Sequence, residues 1–232
     1  MISSKEVYGD GIGEVVLVDY MGDDARAAQA ARVSFDKDEL DDIFQSELTS
    51  RDEKLLNFLI RERHTSPFEH SVLTFKLTVP MFVRSQIMRH RTMSYNEVSR
   101  RYTSENIQVW MPEQLRMQSE KNLQCSSDEQ LSAEAHEAAI AVMTISMTTA
   151  LAAYERLLEL GVAREQARAV LPGALYTSFW MTGSLHNMVH FLRLRLGAHA
   201  QPEAQVVAQA MLEQIEAVFP KTIKAMREQG VL

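Results

Sequence analysis

Five arginines and one carboxylate lie between residues 84 and 104 of a chain whose formal net charge is −7. The arginines are Arg84, Arg89, Arg91, Arg100 and Arg101, and the carboxylate is Glu97. Histidine, serine, asparagine and tyrosine side chains stand between them. Arginine binds phosphate through paired hydrogen bonds, and hydroxyl groups add further donors. The segment therefore predicts a phosphate or nucleotide site, and the alternative interpretation is a solvated basic loop.

A second group of basic side chains lies further along the chain. Arg164 and Arg168 are four residues apart, on one face of a predicted helix. A later predicted helix ends near Arg193 and Arg195, and three histidines flank this pair: His186, His190 and His199. Histidines four apart on a helix can bind zinc, but the pattern lacks the glutamate of the zinc-dependent proteases. We therefore expect no metal at these histidines.

The composition argues against several classes of protein. Apolar residues make up 46% and charged residues 24% of the chain, as in soluble globular proteins. The negative net charge argues against a surface built to bind nucleic acid. The single cysteine, Cys125, permits no disulfide within the chain, which favours a reducing compartment such as the cytoplasm. We expect no signal peptide, and the uncharged stretches 138–154 and 169–192 do not predict membrane-spanning helices.

Hydrophobic periodicity predicts the elements that position these residues. Alternating apolar residues indicate strands over 14–20, 72–79 and 175–181. Helical spacing predicts helices over 23–33, 51–63, 80–90, 163–170, 184–194, 205–219 and 221–229. A longer helix is expected to be capped by Ser127 with Asp128 and Glu129 and to end before Gly161.

Breakers and polar stretches complete the expected organisation. The helix over 51–63 is expected to end because Pro67 restricts the residue before it. The stretches 91–103 and 112–128 are expected to be irregular, and 37–50 is expected to be a loop or a marginal helix. Gly9, Gly11 and Gly13 precede a strand, which is the wrong context for a Rossmann dinucleotide fingerprint. With no repeat and no clear linker, we predict one α+β domain over residues 1–232.

A longer pattern then emerges, because Arg89-His90-Arg91 is followed after seven residues by Ser99. This pattern resembles the signature of the flavin-dependent thymidylate synthases. Further segments resemble segments of that family in the same order, at 21–35, 64–75, 79–91, 167–180 and 194–203. The resemblance covers essentially the whole chain.

The resemblance implies a fold, a reaction and an assembly. The fold is a central antiparallel or mixed sheet flanked by helices, with a long helical region. The reaction is methylation of dUMP at C5, with methylenetetrahydrofolate as the carbon donor and NADPH-reduced FAD as the source of hydride. The assembly is a cytoplasmic homotetramer with active sites at the subunit interfaces, with neither nucleic acid nor membrane as a partner. The position of Cys125 in a polar stretch agrees, because this family needs no cysteine nucleophile.

The resemblance also implies which residues contact the ligands. For dUMP these are Gln86, Ile87, Met88, Arg89, Glu97, Val98, Ser99, Arg100, Arg101, Arg168 and Arg195. For FAD these are Ser66, Glu69, Arg89, His90, Arg91, Glu97, Ser184, Leu185, His186, His190 and His199. Ser99 and Arg101 would hold the 5′-phosphate, with Arg168 and Arg195 near the pyrimidine. Arg195 is the implied catalytic residue, because a guanidinium there would stabilise negative charge on the uracil ring.

The sequence departs from the family pattern at individual positions. Ser85 stands where many members have arginine, Arg100 replaces a common glycine, and Ser184 and His186 stand where some members have asparagine and arginine. The departures leave Arg195 and the Arg-His-Arg pattern intact.

Two other functional classes are compatible with the residues alone. A nucleic-acid-binding module would use Tyr95 and Tyr102 to stack on bases. A metal-dependent nucleotide hydrolase would use the histidines at 186, 190 and 199.

Overall fold

A computed structural model describes residues 3–35, 48–123 and 125–232. The chain divides into two compact units. The first unit draws on residues 1–77, 88–96 and 179–232, and the second on residues 78–87 and 97–178. The expectation of one domain over the whole chain stays a prediction.

Seven strands form two sheets in the described part of the chain. They are β1 (Ser3–Glu6), β2 (Glu14–Met21), β3 (Val72–Pro80), β4 (Ser94–Glu97), β5 (Arg116–Gln118), β6 (Ser126–Gln130) and β7 (Tyr176–Ser184). The larger sheet has the strand order β1-β2-β3-β7-β4, and β5 pairs with β6 in a separate antiparallel hairpin. Strands and helices together confirm the α+β class.

The same description contains eight α-helices. They are α1 (Asp24–Arg32), α2 (Ser50–Arg61), α3 (Met81–Ile87), α4 (Ala133–Glu159), α5 (Arg164–Ala167), α6 (Leu185–Arg195), α7 (Pro202–Val218) and α8 (Pro220–Glu228). Short 3-10 segments follow α1 and α5 and precede β3.

The central strands form because their apolar residues recur at every second position. Leu73, Phe75 and Leu77 of β3 are fully buried in the first unit, as expected when one face of a strand points into a core. On the opposite face of β3, side-chain hydroxyls form hydrogen bonds with hydroxyls of β7. Thr74 Oγ1 lies 3.0 Å from Thr182 Oγ1, and Thr78 Oγ1 lies 2.9 Å from Ser178 Oγ. These pairs run in opposite directions along the two strands, so β3 and β7 are antiparallel.

Two segments expected to be irregular contain strands instead. β4 lies within 91–103, and the β5–β6 hairpin occupies much of 112–128. The long helix therefore begins at Ala133, where the Ser132 side chain accepts a hydrogen bond from the backbone N–H of Ala135. Ser127 and Glu129 lie in β6 and do not cap it. Backbone hydrogen bonds between β5 and β6 pair the polar groups of this stretch, so the hairpin forms without an alternating apolar pattern.

The ends of three other helices also differ from the prediction. α2 ends at Arg61, where the chain turns through Arg63 with a φ of 57°, so the left-handed residue and not Pro67 stops the helix. α3 is confined to Met81–Ile87. α7 begins at Pro202, because proline fits the first turn of a helix. Of the stretch 37–50, residues 37–47 lie outside the described residues.

α4 carries its apolar residues on an exposed surface. Val142 and Ile145 are 64% and 66% exposed. By length and composition, α4 is the one helix among the described residues that could cross a membrane, although a single such helix is weak evidence. The uncharged stretch 138–154, which by itself is too short and too weakly apolar to predict a membrane span, forms the middle of this helix.

Candidate functional site

In the first unit, the guanidinium of Arg195 is held by His90. Arg195 Nε donates a hydrogen bond to His90 Nε2 over 3.1 Å. Arg195 is the last residue of α6, and His90 lies in the turn after α3. The structure therefore joins the middle of the Arg-His-Arg pattern to the arginine that the resemblance implies is catalytic, across 105 residues of sequence.

The protonation state of His90 follows from its surroundings. Burial, reinforced by the charges of Arg195 and His190, lowers the pKa of His90 to about 4. At neutral pH the imidazole is therefore uncharged, which leaves Nε2 able to accept from Arg195. The ring also meets Phe191 edge-on, with the ring centroids 4.9 Å apart. A buried neutral histidine thus fixes the orientation of a charged arginine.

Further contacts hold the turn that carries His90 against α6. Tyr95 donates its phenol hydrogen to the carbonyl of His90 over 3.0 Å, and burial raises the pKa of Tyr95 to about 12. Asn187 Nδ2 donates to the carbonyl of Thr92 over 3.1 Å. Gly183 has no side chain because a Cβ there would collide with the sulfur of buried Met93. The Arg-His-Arg turn is thereby packed closely onto β7 and α6.

In the second unit, two other arginines, Arg101 and Arg168, both lie close to Glu165. Arg101 Nε lies 4.0 Å from a carboxylate oxygen of Glu165, and Arg168 Nε donates to the backbone carbonyl of Glu165 over 3.3 Å. The Ser99 hydroxyl accepts from the backbone N–H of Arg101 over 3.3 Å. All of these groups are accessible to solvent, except that Ser99 is half-buried. Two guanidinium groups and a hydroxyl in this arrangement suit a phosphate dianion.

Arg100, although next to Arg101, has a different environment. Its guanidinium donates to the carbonyls of Glu105 and Asn106, over 2.5 and 3.2 Å. Asn106 has a φ of 52°, so the loop turns sharply there. Arg100 therefore ties together the loop that carries Ser99 and Arg101. A glycine at this position could not form these hydrogen bonds.

Glu97, expected to contact both dUMP and FAD, is engaged within the second unit. One carboxylate oxygen pairs with Arg84, and the other accepts from the Thr177 hydroxyl over 2.8 Å. Both oxygens of Glu97 therefore have protein partners. Glu97, the carboxylate of segment 84–104, therefore neutralises the charge of Arg84 and links β4 to β7.

The first unit contains a pocket of about 330 Å³ between the end of α2, α6 and the chain after α8. We call it the arginine pocket because its basic lining residues are Arg61, Arg63, His64, His186, His190 and Arg193. None of the residues that line it in the described chain is acidic. Its other walls include Leu59, Ile60, Phe68, Val189 and Met226. This lining suits a ligand that combines a flat apolar ring system with negatively charged groups.

The remaining sequence-predicted site residues fall into three groups. The side chains of Ile87 and Leu185 are buried in the core, which leaves only their backbones to contact a ligand. The Ser184 hydroxyl caps α6 by accepting from the backbone N–H of Asn187. The others are exposed or half-buried: Ser66, Glu69, Gln86, Met88, Arg89, Arg91, Val98 and His199.

Sequence reasoning missed Glu165, Arg61 and Arg63 as members of these clusters. The position of Glu165 three residues before Arg168 was the available signal, because residues with this spacing share a helix face. Arg61 and Arg63 carried no such signal, since their proximity to α6 depends on tertiary packing. Within the described ranges, no group of three or more His, Cys, Asp or Glu side chains is placed to hold a metal ion.

The fold and these clusters define an α+β protein whose basic clusters suit anionic ligands. A family model described as thymidylate synthase complementing protein matches residues 16–221. The chain therefore belongs to the thymidylate synthase complementing protein family.

Relatives agree with this membership. The chain is 42% identical over 211 residues to a flavin-dependent thymidylate synthase of Treponema pallidum, covering 90% of this chain and 67% of the relative. It is 42% identical over 216 residues to that of Thermus thermophilus, covering 93% and 76%. It is 40% identical over 218 residues to that of Kosmotoga olearia, covering 92% and 89%.

A solved structure shares the fold. It is the UMP/dUMP methylase PolB of Streptomyces cacaoi bound with 5-Br dUMP, with a TM-score of 0.84 and 32% identity over 98% of this chain and 99% of PolB. The same protein bound with 5-Br UMP gives a TM-score of 0.80 and 30% identity, covering 100% and 96%.

Proposed function

We propose that this protein is a flavin-dependent thymidylate synthase that methylates dUMP at C5. Methylenetetrahydrofolate donates the carbon, and NADPH supplies the reducing equivalents through FAD. The observation that carries the proposal is the bond between His90 and Arg195, because it joins the family pattern at 89–91 to a fixed cation. Names of relatives 42% identical to the chain support the same reaction.

The nucleotide phosphate would bind at Ser99, Arg101 and Arg168. These residues supply two guanidinium groups and a hydroxyl around Glu165. A phosphate would take over the donors that Arg101 now directs at the Glu165 carboxylate, because a dianion attracts the guanidinium more strongly. Arg100 closes the loop that carries these residues, and its own predicted contact with dUMP stays a prediction.

Arg195 would act on the uracil ring during the chemical step. The ring gains negative charge as C5 becomes nucleophilic, so a cation fixed beforehand stabilises the transition state more than the bound substrate. The hydrogen bond to His90 supplies this fixation, and burial, which lowers the pKa of Arg195, places the charge where water screens it less.

The residues present suit a flavin dinucleotide. On the α6 side of the arginine pocket, His186 and His190 stand beside apolar Val189, and no carboxylate of the described residues lines the pocket, which suits a flat, anionic cofactor. His186 and His190 would contact FAD from α6. When bound, the flavin supplies hydride that it has received from NADPH.

The proposed assembly is a cytoplasmic homotetramer with the active sites at its interfaces. The exposed apolar residues Val142 and Ile145 of α4 support it, because burial against a neighbouring subunit would remove them from water. They do not by themselves indicate the number of subunits.

The test is formation of dTMP by the purified protein from dUMP, methylenetetrahydrofolate, NADPH and FAD. Cys125→Ala is the matched variant and should retain most of the turnover, because the proposed reaction uses no thiolate. An active parent whose Cys125→Ala variant is folded but inactive would overturn the proposed mechanism. UMP is tested beside dUMP because the solved structural relative is a UMP/dUMP methylase.

A further inference from the structure

We propose that Arg61, Arg63 and Arg193 in the arginine pocket bind the carboxylates of the glutamyl tail of the folate co-substrate. The inference rests on the proposed function, which supplies a folate, and it assigns a role to three arginines outside the family pattern. Folates carry an aryl group joined to one or more glutamates. The pocket offers apolar walls for the first part and guanidinium groups for the second.

Two of the three guanidinium groups are not neutralised by an acidic side chain in the described part of the chain. Within the described part of the chain, the guanidinium groups of Arg63 and Arg193 make no ion pair or hydrogen bond. Arg61 pairs with Glu62 over 2.8 Å and lies over the ring of Phe58. The pocket is thus positively charged in a protein whose net charge is −7. This reversal favours an anionic ligand.

The backbone of Arg63 gives a second, independent reason. Arg63 turns the chain at the end of α2 with a φ of 57°, a conformation that glycine adopts at no steric cost. An arginine is less stable than glycine in this conformation, because its Cβ approaches the following carbonyl oxygen. Such strained residues occur disproportionately at ligand-binding positions. The chain has an arginine and not a glycine at this turn, and the turn places Arg63 in the lining of the pocket.

The location suits a ligand that works beside the flavin. His186 and His190, proposed to contact FAD, line the same pocket as the three arginines. The folate must lie close to the flavin and dUMP for a one-carbon unit and a hydride to reach the same pyrimidine. Guanidinium groups match carboxylates geometrically, so a tail with several carboxylates would engage more than one arginine.

The test compares two tails on the FAD-loaded protein. The probes are p-aminobenzoyl-glutamate and p-aminobenzoyl-triglutamate, and calorimetry measures their dissociation constants. We expect the longer tail to bind at least about fivefold more tightly, since accessible ion pairs each contribute modestly. The preference should fall with added salt.

Three variants show whether the arginines cause the preference. Arg193→Gln and Arg63→Gly should bring the two constants close together, and Arg63→Gly should do so without loss of stability because glycine relieves the left-handed strain. Arg51→Gln, on the exposed first turn of α2 and outside the pocket, is the control and should keep the preference.

Several outcomes would overturn the inference. Equal affinity of the parent for both tails would do so, as would a preference that survives both pocket variants. Competition by ADP that is stronger than that of the triglutamate, and that is lost in the same variants, would assign the arginines to a dinucleotide diphosphate. Formation of dTMP by the parent is measured in parallel. An inactive parent contradicts the proposed function, whereas an active parent with equal affinities contradicts only this inference.

Discussion

At the scale of single residues, the central feature is a charged side chain oriented by a neutral one. His90 accepts from Arg195 only while its imidazole is unprotonated, and burial beside Arg195 and His190 favours that state. The predicted FAD contact of His90 stays a prediction, and its side chain has a positioning role toward Arg195. The pair gives two expectations, one for catalysis and one for stability.

The catalytic expectation concerns Arg195→Ala. Loss of one preorganised donor commonly lowers turnover by roughly 10²–10³, and we expect that loss in dTMP formation. Oxidation of NADPH by the flavin should largely survive, because it needs no activated uracil. Stopped-flow bleaching of the flavin, measured separately from dTMP formation, distinguishes the two steps. A parallel loss of both steps would mean that Arg195 holds the flavin or the fold.

The stability expectation concerns pH. Unfolded His90 takes up a proton near its ordinary pKa of 6.5, whereas the folded protein does so near 4. Between these values the unfolded state binds more protons, so the free energy of unfolding falls as the pH falls from about 6.5 to about 4. The slope from this group is at most about 1.4 kcal/mol per pH unit. Urea unfolding of the parent and of His90→Gln over this range measures it, and identical pH profiles would contradict the assignment.

At the scale of elements, the start of α8 depends on a residue from α1. Phe219 gives α8 no side-chain cap, and Pro220 has no N–H. The carboxylate of buried Asp24 instead accepts from the backbone N–H groups of Lys221 and Thr222, over 2.9 and 2.8 Å. These two hydrogen bonds connect α1 to α8, which are almost 200 residues apart in sequence.

Asp24→Ala should therefore destabilise the first unit. It leaves buried backbone donors without partners, which costs about 1–3 kcal/mol. Asp24→Asn keeps one acceptor oxygen and should cost less. Chemical unfolding at constant m-value measures the difference, and an Asp24→Ala protein as stable as the parent would show that water replaces the carboxylate.

A second element-scale expectation concerns α5 and the loop that carries Arg101. The Glu165 carboxylate lies 4.0 Å from Arg101 and would compete with the nucleotide phosphate for it. Glu165→Gln should lower the KM for dUMP by up to about fivefold, because exposed ion pairs contribute no more than about 1 kcal/mol. Deoxyuridine, which lacks the phosphate, is the control ligand and should show no such gain. A raised KM for dUMP would indicate that Glu165 positions Arg101 and does not compete.

Sequence patterns identified the elements that have strong periodicity and missed those that lack it. The alternation in β3 and the apolar spacing in α2 and α6 were sufficient, because each buries one face. β4 is only four residues long and polar, and it exists because a neighbouring strand pairs with it. The same limit applies to the site: the family signature indicated His90 and Arg195 separately, but only packing brings Nε2 and Nε together.

At the scale of the whole molecule, the long helix α4 raises the question of what covers its apolar surface. Val142 and Ile145 are one helical turn apart and more than half exposed. A lipid bilayer and another copy of the chain would both remove them from water. The proposed function favours another copy, because the family resemblance implies a homotetramer with shared active sites.

We therefore expect Val142→Asp combined with Ile145→Asp to dissociate the assembly. Burial of a valine or an isoleucine stabilises by about 1.5–3 kcal/mol, and every subunit would lose both contributions and gain buried charge. Light scattering in the presence of FAD should give four subunits for the parent and a smaller species for the variant. Arg156→Gln, near the exposed end of α4 where Arg156 pairs with Glu159, is the control and should leave the mass unchanged. A monomeric parent that floats with lipid vesicles, and a variant that does not, would assign the surface to a membrane instead.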